Sequence, residues 1–191
     1  LIFDEVITGF GRLGASFACE RFDVIPDILT CAKGLTNATV PMGGVVVHKD
    51  IYDTLITKSE QPIELFHGYT YSGHPLACAA GLATLDLYRS EGLFERASEL
   101  ESYWEEGVHS LGDAPHVIDV RNIGLVAGIE LEPRPDAPAA RAFETFLKCY
   151  EDGVLVRTTA DTIALSPPLI IERSQIDEIV SAIRKCLNTV A

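Results

Sequence analysis

The chain has 191 residues, a hydrophobic fraction of 47% and a formal net charge of −13 at pH 7. That charge argues against a nucleic-acid binder, which neutralises phosphates with Lys and Arg, and no apolar run reaches the roughly 18 residues that cross a bilayer. The five cysteines are scattered without a C-x-x-C pair, so neither a disulfide framework nor a zinc ribbon is indicated. We therefore expect a soluble, cytoplasmic protein.

The first half of the sequence has the pattern of an open α/β sheet. LIFDEV, at the start of the chain, predicts a buried parallel strand that delivers Asp4 near its carboxyl end. Further short strands are predicted at residues 28–31, just before Lys33, and at residues 45–47, with crossover connections between them. Because open α/β sheets bind ligands at the carboxyl ends of their strands, we expect Asp4 and Lys33 to meet at one edge.

Two helices are predicted next, one beginning at Pro75 and one at about residues 93–111. The segment GDAP near residue 112 indicates a boundary, so the sequence predicts two domains, residues 1–112 and residues 113–191.

The second domain is predicted to be a small α+β unit. VIDVRNIGLVAGIELEP has the pattern of strand, turn and strand, and VLVRTT and TIALSPPLI predict two more strands. A helix at about residues 141–151 and a terminal helix with Ser174 as its N-cap complete the unit.

Lys33 stands between an apolar strand and Gly34. We expect this setting to desolvate the ammonium group in part and so to favour the neutral amine that attacks a carbonyl. A lone lysine is usually a solvated surface group, and a lone aspartate at a strand end usually caps a turn or helix, so neither residue alone defines a site.

Two other patterns are weaker. Gly9, Gly11 and Gly14 form G-x-G-x-x-G after a strand, but no apolar helical stripe follows and no acid ends the next strand, which disfavours a nicotinamide cofactor. His67 and His74 have no acid or cysteine at ligand spacing, so no metal site is predicted.

Four motifs in order give the sequence a specific resemblance: D-E-V-x-T-G-F-G-R, P-D-I-x-x-x-A-K-G-L, P-M-G and H-G-Y-T-Y-S-G-H-P-x-A-C-A-A. Together they resemble the C-terminal part of the class III aminotransferases, and they are most similar to the ω-amino acid (β-alanine) to pyruvate aminotransferases. The resemblance covers nearly the whole chain. It implies the α/β fold-type I architecture, with residues 1–112 as the C-terminal part of the cofactor-binding large domain, and pyridoxal 5'-phosphate as cofactor.

The resemblance also implies roles for single residues. Lys33 would form the Schiff base with the cofactor and then carry a proton as general acid and base. Asp4 would pair with the pyridine nitrogen and keep it protonated. Val6, two residues along the strand from Asp4 and so on the same face, would pack against the ring, although a plain core valine is an equal alternative.

Two further residues would complete the site. Thr70 would bind the cofactor phosphate from the neighbouring subunit, which implies a homodimer, or a dimer of dimers, with shared active sites. Arg157 would bind a substrate carboxylate, for which a planar guanidinium is suited; the alternative is an ion pair with Asp161. Many relatives have glycine where this chain has Ala38, so the turn after Lys33 is expected to differ slightly.

Other parts of the family's site, a Gly/Ser-rich phosphate turn and an aromatic residue on the ring, lie upstream of the D-E-V strand. The chain opens at Leu1, so we expect the true N-terminus upstream, and we expect the isolated chain to bind cofactor poorly. An aminomutase or decarboxylase of the same fold, or an inactive fragment, are the alternatives to a transaminase that moves an amino group from an ω-amino acid or amine to pyruvate.

Overall fold

The structure is a computed structural model that describes residues 1–63, 65–68 and 70–191. It contains two compact units, Leu1–Glu95 and Arg96–Ala191. The domain boundary predicted after residue 112 stays a prediction. Among the described residues, no helix combines the length and the hydropathy that crossing a lipid bilayer requires.

The first unit contains a three-stranded sheet of order β1-β2-β3, formed by β1 (Ile2–Asp4), β2 (Ile28–Cys31) and β3 (Gly44–Val47). β1 and β2 are parallel, as predicted. β3 runs antiparallel to β2, so the expected crossover into a third parallel strand was wrong. The reason is the connection: the link between β2 and β3, all of it described, contains one short 3-10 helix (Lys33–Leu35), whereas a parallel return usually needs an α-helical crossover.

The helices of the first unit are α1 (Ala18–Arg21), α2 (Lys49–Lys58) and α3 (Pro75–Ser90). α3 begins at Pro75, as predicted, because a proline at the first helical position lacks only an N–H that would have no helical partner there. α2 was not predicted; none of its residues is buried, so it has no apolar stripe to reveal it. α4 (Leu93–His109) confirms the second predicted helix and continues into the second unit.

The second unit has an antiparallel sheet of order β4-β5-β7-β6 with two further helices, and it confirms the predicted α+β pattern. Its elements are β4 (Val117–Ile123), β5 (Val126–Leu131), α5 (Ala140–Glu151), β6 (Arg157–Thr159), β7 (Thr162–Leu165) and α6 (Arg173–Leu187). Alternate residues of β5 are buried, so one face of this sheet packs into a core. Fully buried side chains of this core include Trp104, Leu125, Ile129, Ile163 and Ile183.

The start of α6 differs from the prediction. Glu172, and not Ser174, is the N-cap, and it forms a reciprocal capping box with Gln175. The Gln175 side chain accepts the Glu172 backbone N–H at 2.9 Å. A capping box satisfies two otherwise unpaired donors, whereas a single serine cap satisfies one, which explains why the earlier start is preferred.

Candidate active site

Asp4 and Lys33 lie at the carboxyl ends of the two parallel strands. Asp4 is the last residue of β1 and pairs with Thr30 of β2, and Lys33 follows the end of β2 by two residues. Both residues are exposed, so the partial desolvation expected for the Lys33 ammonium group is not observed. Since parallel strands end at the same edge of a sheet, the structure brings a carboxylate and an amine to one edge, where α/β proteins bind ligands.

The backbone of Lys33 is strained. Its φ is +40°, in the left-handed region that residues other than glycine rarely adopt. Such a conformation costs about 1–3 kcal/mol and persists where the surroundings enforce it, as they often do at functional sites. The turn is closed by hydrogen bonds from Leu35 N to Ala32 O at 3.0 Å and from Thr36 N to Lys33 O at 3.3 Å.

Glu5, the second acid of the D-E-V motif, is buried and makes hydrogen bonds within the first unit. Its side chain is almost fully buried. One carboxylate oxygen accepts the backbone N–H of Cys19 at 2.9 Å, and the other accepts the hydroxyl of Thr8. Glu5 therefore links Thr8 and Cys19, which lie on either side of the glycine-rich turn, through its two carboxylate oxygens. Burial, followed by the nearby charge of Glu5, raises the pKa of the Cys19 thiol.

Asp4 accepts a hydrogen bond from the backbone N–H of Val6 at 3.1 Å. β1 ends at Asp4, so Val6 lies in the turn that follows and not on the strand. The strand alternation that placed Val6 on the same face as Asp4 therefore does not apply. Val6 is half-buried, and its contact with a cofactor ring stays a prediction.

Thr70 lies in the loop that precedes α3. It lines a cavity of about 540 Å³ together with residues 40–43 and the side chains of Tyr71, Ser72 and His74. This cavity offers hydroxyl groups and glycine backbone, which suit a phosphate. Neither Asp4 nor Lys33 lines this cavity, although Gly43 in its wall lies next to the end of β2, where a Cβ built on Gly43 would be 3.5 Å from the Cys31 carbonyl oxygen. The role of Thr70 stays a prediction.

Arg157 begins β6 in the second unit and lines a cavity of about 650 Å³ with largely apolar walls, which include Trp104, Phe143 and Leu155. The alternative of an ion pair with Asp161 is not observed, because within the described ranges no carboxylate lies within 4.0 Å of the Arg157 guanidinium. Asp161 instead accepts the backbone N–H of Ala139 at 2.8 Å. The guanidinium of Arg157 is exposed.

The glycine pattern and the two histidines lie outside the strands and helices of the first unit. The stretch from Gly9 to Gly14 forms turns that lead into α1, a helix of four residues, too short to supply the helical N-terminus that binds a pyrophosphate. In the part of the chain that the structure describes, no group of three or more His, Cys, Asp and Glu side chains could hold a metal ion.

Tyr88 is a residue that the sequence did not single out. It lies on α3, is 9% exposed, and donates its hydroxyl to the Gly34 carbonyl oxygen at 2.7 Å. The sequence pattern does not indicate a role for Tyr88, because a tyrosine within the apolar stripe of a helix is ordinarily a core residue. The available signal was its position: Tyr88 continues the stripe of small buried residues Ala77, Gly81 and Thr84.

The fold places the chain in a class of protein, the fold-type I transaminases. A transaminase solved with L-ala has a TM-score of 0.92 to this chain, at 36% identity, over 99% of this chain and 46% of that one. A thermostable (S)-enantioselective omega-transaminase from Thermomicrobium roseum has a TM-score of 0.91 at 36% identity, over 99% of this chain and 43% of that one. The predicted fold class is therefore confirmed.

The chain belongs to the class-III aminotransferase family, whose sequence profile matches residues 1–187. An omega-aminotransferase of Caulobacter vibrioides is 64% identical over 190 residues, which cover 100% of this chain and 43% of that protein. The beta-alanine–pyruvate aminotransferase of Pseudomonas aeruginosa is 44% identical over 193 residues, again 100% of this chain and 43% of that protein. The chain thus spans less than half the length of these relatives.

Proposed function

We propose that this chain is the lysine-bearing part of a pyridoxal 5'-phosphate-dependent transaminase, which moves an amino group from an ω-amino acid or an amine to pyruvate or a similar 2-oxo acid. The observation that carries the proposal is the placement of Asp4 and Lys33 at the ends of adjacent parallel strands, with Lys33 in a strained backbone conformation. The names of the similar aminotransferases support both the reaction and the acceptor.

The residues present suit the cofactor. Pyridoxal phosphate, when bound, supplies an aldehyde that reacts with amines and a ring that withdraws electrons from the substrate. Its aldehyde needs an amine, its pyridine nitrogen a carboxylate and its phosphate a set of hydroxyl and N–H donors. Lys33, Asp4 and the loop at Thr70 are groups of these three kinds, and the first two lie at one sheet edge.

Lys33 has two proposed roles. Its Nζ, at an exposed strand end, attaches the cofactor covalently. Once the amino substrate displaces it, the same amine would take the proton from the substrate carbon and deliver it to the cofactor carbon, because it stays within reach of both atoms. The enforced backbone conformation of Lys33 fixes the starting direction of the side chain for both roles.

Asp4 is proposed to hold a positive charge on the pyridine nitrogen. An ion pair at contact distance, in an effective dielectric of about 20, is worth about 4 kcal/mol, or about three pKa units. That energy keeps the nitrogen protonated at neutral pH. The hydrogen bond from Val6 N–H to Asp4 orients the carboxylate without neutralising its charge.

The remaining roles follow the same proposal. Thr70, whose cavity offers hydroxyl groups and glycine backbone, would bind the phosphate of the neighbouring subunit, as the family resemblance implies, and the protein would act as a homodimer or a dimer of dimers. Arg157, whose guanidinium is exposed, would bind a substrate carboxylate. All five cysteines are unpaired, which supports a cytoplasmic location.

The reaction is tested with the protein encoded by the complete reading frame that contains this sequence. We expect it to form alanine from β-alanine and pyruvate when supplied with pyridoxal phosphate, and we expect Lys33→Ala to abolish this formation. Lys49→Ala, at an exposed lysine on α2, is the matched control and should retain activity. Equal alanine formation by the Lys33→Ala and Lys49→Ala variants would exclude the proposal.

A further inference from the structure

The strained turn at Lys33 needs a constraint from outside the turn. Its own hydrogen bonds, from Leu35 to Ala32 and from Thr36 to Lys33, span three residues each, so neither of them ties the Lys33 backbone to another element and opposes its rotation toward an ordinary φ from outside the turn. Such a rotation changes the direction of the Lys33 side chain, because Cβ is attached to the rotating backbone. A contact that is distant in sequence would oppose this rotation.

Tyr88 supplies such a contact. Its hydroxyl donates to the carbonyl oxygen of Gly34, the residue after Lys33, at 2.7 Å, across 54 positions of sequence. The bond fixes the orientation of the peptide that follows Gly34. Burial raises the pKa of the Tyr88 phenol, an effect that the charge of Arg12 opposes, so the phenol remains a donor at neutral pH.

The ring of Tyr88 is itself held in place by aromatic neighbours. It stacks on Phe10 with ring centroids 6.2 Å apart and planes at 19°, and it contacts Phe94 with centroids 5.1 Å apart. Phe10 also packs against the turn, since a Cβ built on Gly34 would lie 2.8 Å from the Phe10 Cβ. Gly34 therefore has two distant contacts: its carbonyl oxygen accepts the Tyr88 hydroxyl, and its Cα packs closely against the Phe10 side chain.

We propose that Tyr88 is a positioning residue for Lys33: its phenol anchors the Gly34 carbonyl, maintains the left-handed conformation of the lysine and thereby directs the amine. Tyr88 does not touch the reacting atoms in this account. The proposal rests on the role proposed for Lys33, but its structural part, the stability of the turn, can be measured without cofactor.

The test compares Tyr88→Phe with Tyr103→Phe in the protein without cofactor. Both substitutions remove one phenol hydroxyl and keep the ring, and Tyr103 donates to Asp177 at 2.7 Å in the second unit. We measure backbone amide hydrogen exchange by mass spectrometry. Tyr88→Phe should raise exchange at residues 32–36 by roughly five-fold, as expected for the loss of one hydrogen bond to a part-buried carbonyl, and leave β2 unchanged. Tyr103→Phe should leave amide exchange unchanged both at residues 32–36 and in β2.

A second readout connects the turn to the amine. The apoprotein is mixed with pyridoxal phosphate, reduced with borohydride, and the modified lysines are identified in peptides. Tyr88→Phe should slow the labelling of Lys33 by roughly five-fold, with the labelling of Lys49 and Lys58 unchanged as internal standards.

Either of two results would overturn the proposal. One is unchanged exchange at residues 32–36 in Tyr88→Phe. The other is a uniform rise of exchange throughout α3, β2 and the turn, which would make Tyr88 a residue of general stability. Failure of the proposed function looks different: Lys33 of the unsubstituted protein would then be labelled no faster than Lys49, whatever the exchange data show.

Discussion

The adjacent carboxylates of Asp4 and Glu5, at and just after the end of β1, have different environments and, we infer, different purposes. Asp4 is exposed at the sheet edge, whereas Glu5 is buried beneath the glycine-rich turn with the Cys19 N–H and the Thr8 hydroxyl as partners. Because removal of a buried acceptor leaves its donors unsatisfied, we expect Glu5→Ala to lower the free energy of unfolding by about 2–3 kcal/mol. We expect Asp4→Ala to change it by less than about 0.5 kcal/mol.

Urea unfolding of the two variants measures this difference. Both substitutions remove one carboxylate from neighbouring positions, so their effects on net charge are the same. Equal losses of stability for the two variants would mean that the buried contacts of Glu5 do not stabilise the turn.

The Cys149 thiol gives a prediction about pH. Burial, and then its hydrogen bond with Cys186, raises the pKa of Cys149 from an ordinary value of 9.0 to about 12. The folded state therefore holds this proton more tightly than the unfolded chain does. Its contribution to stability is complete below pH 9.0 and is lost as the pH rises toward about 12.

We expect the free energy of unfolding to fall less steeply over that alkaline range in Cys149→Ala than in the unsubstituted protein. Denaturant unfolding at a series of pH values measures the slope. Cys78→Ala removes a half-buried thiol from α3 and is the control. If the free energy of unfolding falls with the same slope against pH in the Cys149→Ala variant and in the unsubstituted protein, the Cys149 thiol does not contribute to the pH dependence of stability.

At the scale of elements, the sequence predicted the helices and strands whose apolar residues are spaced so that one side is buried. α3, α4 and β2 were predicted well because their apolar spacing reflects a buried side. α2 was missed because it buries no residue, and the direction of β3 was wrong because the direction of a strand depends on its connection and not on its own residues. Asp4 and Lys33 could be identified from the ends of strands. The helical stripe indicates that Tyr88 is buried, but it does not reveal the bond to Gly34, because the two residues lie 54 positions apart.

The turn between β2 and β3 gives a prediction at this scale. Ala38 has a φ of +60°, a conformation that costs an L-residue about 1–2 kcal/mol and that glycine adopts freely. Glycine loses about 0.5–1 kcal/mol more conformational entropy on folding, so we expect Ala38→Gly to stabilise the protein by about 0.5 kcal/mol.

Ala83→Gly is the matched control. Ala83 is an exposed residue within α3, where the same substitution should destabilise by about 1 kcal/mol. Thermal or urea unfolding should therefore give shifts of opposite sign for the two variants. A loss of stability in both would mean that the left-handed conformation of Ala38 carries no strain.

At the scale of the whole molecule, the sheet of the first unit has exposed apolar residues. Leu1 and Ile2 on or next to β1 are each 63% exposed, and Val45 and Val46 on β3 are 65% and 63% exposed. Exposed apolar strands at a sheet edge are sites of association. We therefore expect the 191-residue chain to self-associate in a concentration-dependent way, as measured by light scattering.

A double variant, Ile2→Lys with Val46→Lys, should reduce this association. The control, Ile25→Lys with Phe66→Lys, changes the net charge equally at residues that are 90% and 89% exposed outside the strands. If the unsubstituted chain is monomeric, or if the control reduces association as strongly, the strands are not the associating surface.

The central claim is that Lys33 is the lysine that attaches the cofactor, and peptide mapping after borohydride reduction tests it most directly. The protein from the complete reading frame is incubated with pyridoxal phosphate, reduced and digested, and the phosphopyridoxyl group is located by mass spectrometry. We expect one dominant modified peptide, which contains Lys33. We also expect the label on this peptide to be lost when the amino donor β-alanine is added before reduction. Modification distributed over the exposed lysines without preference for Lys33 would contradict the account.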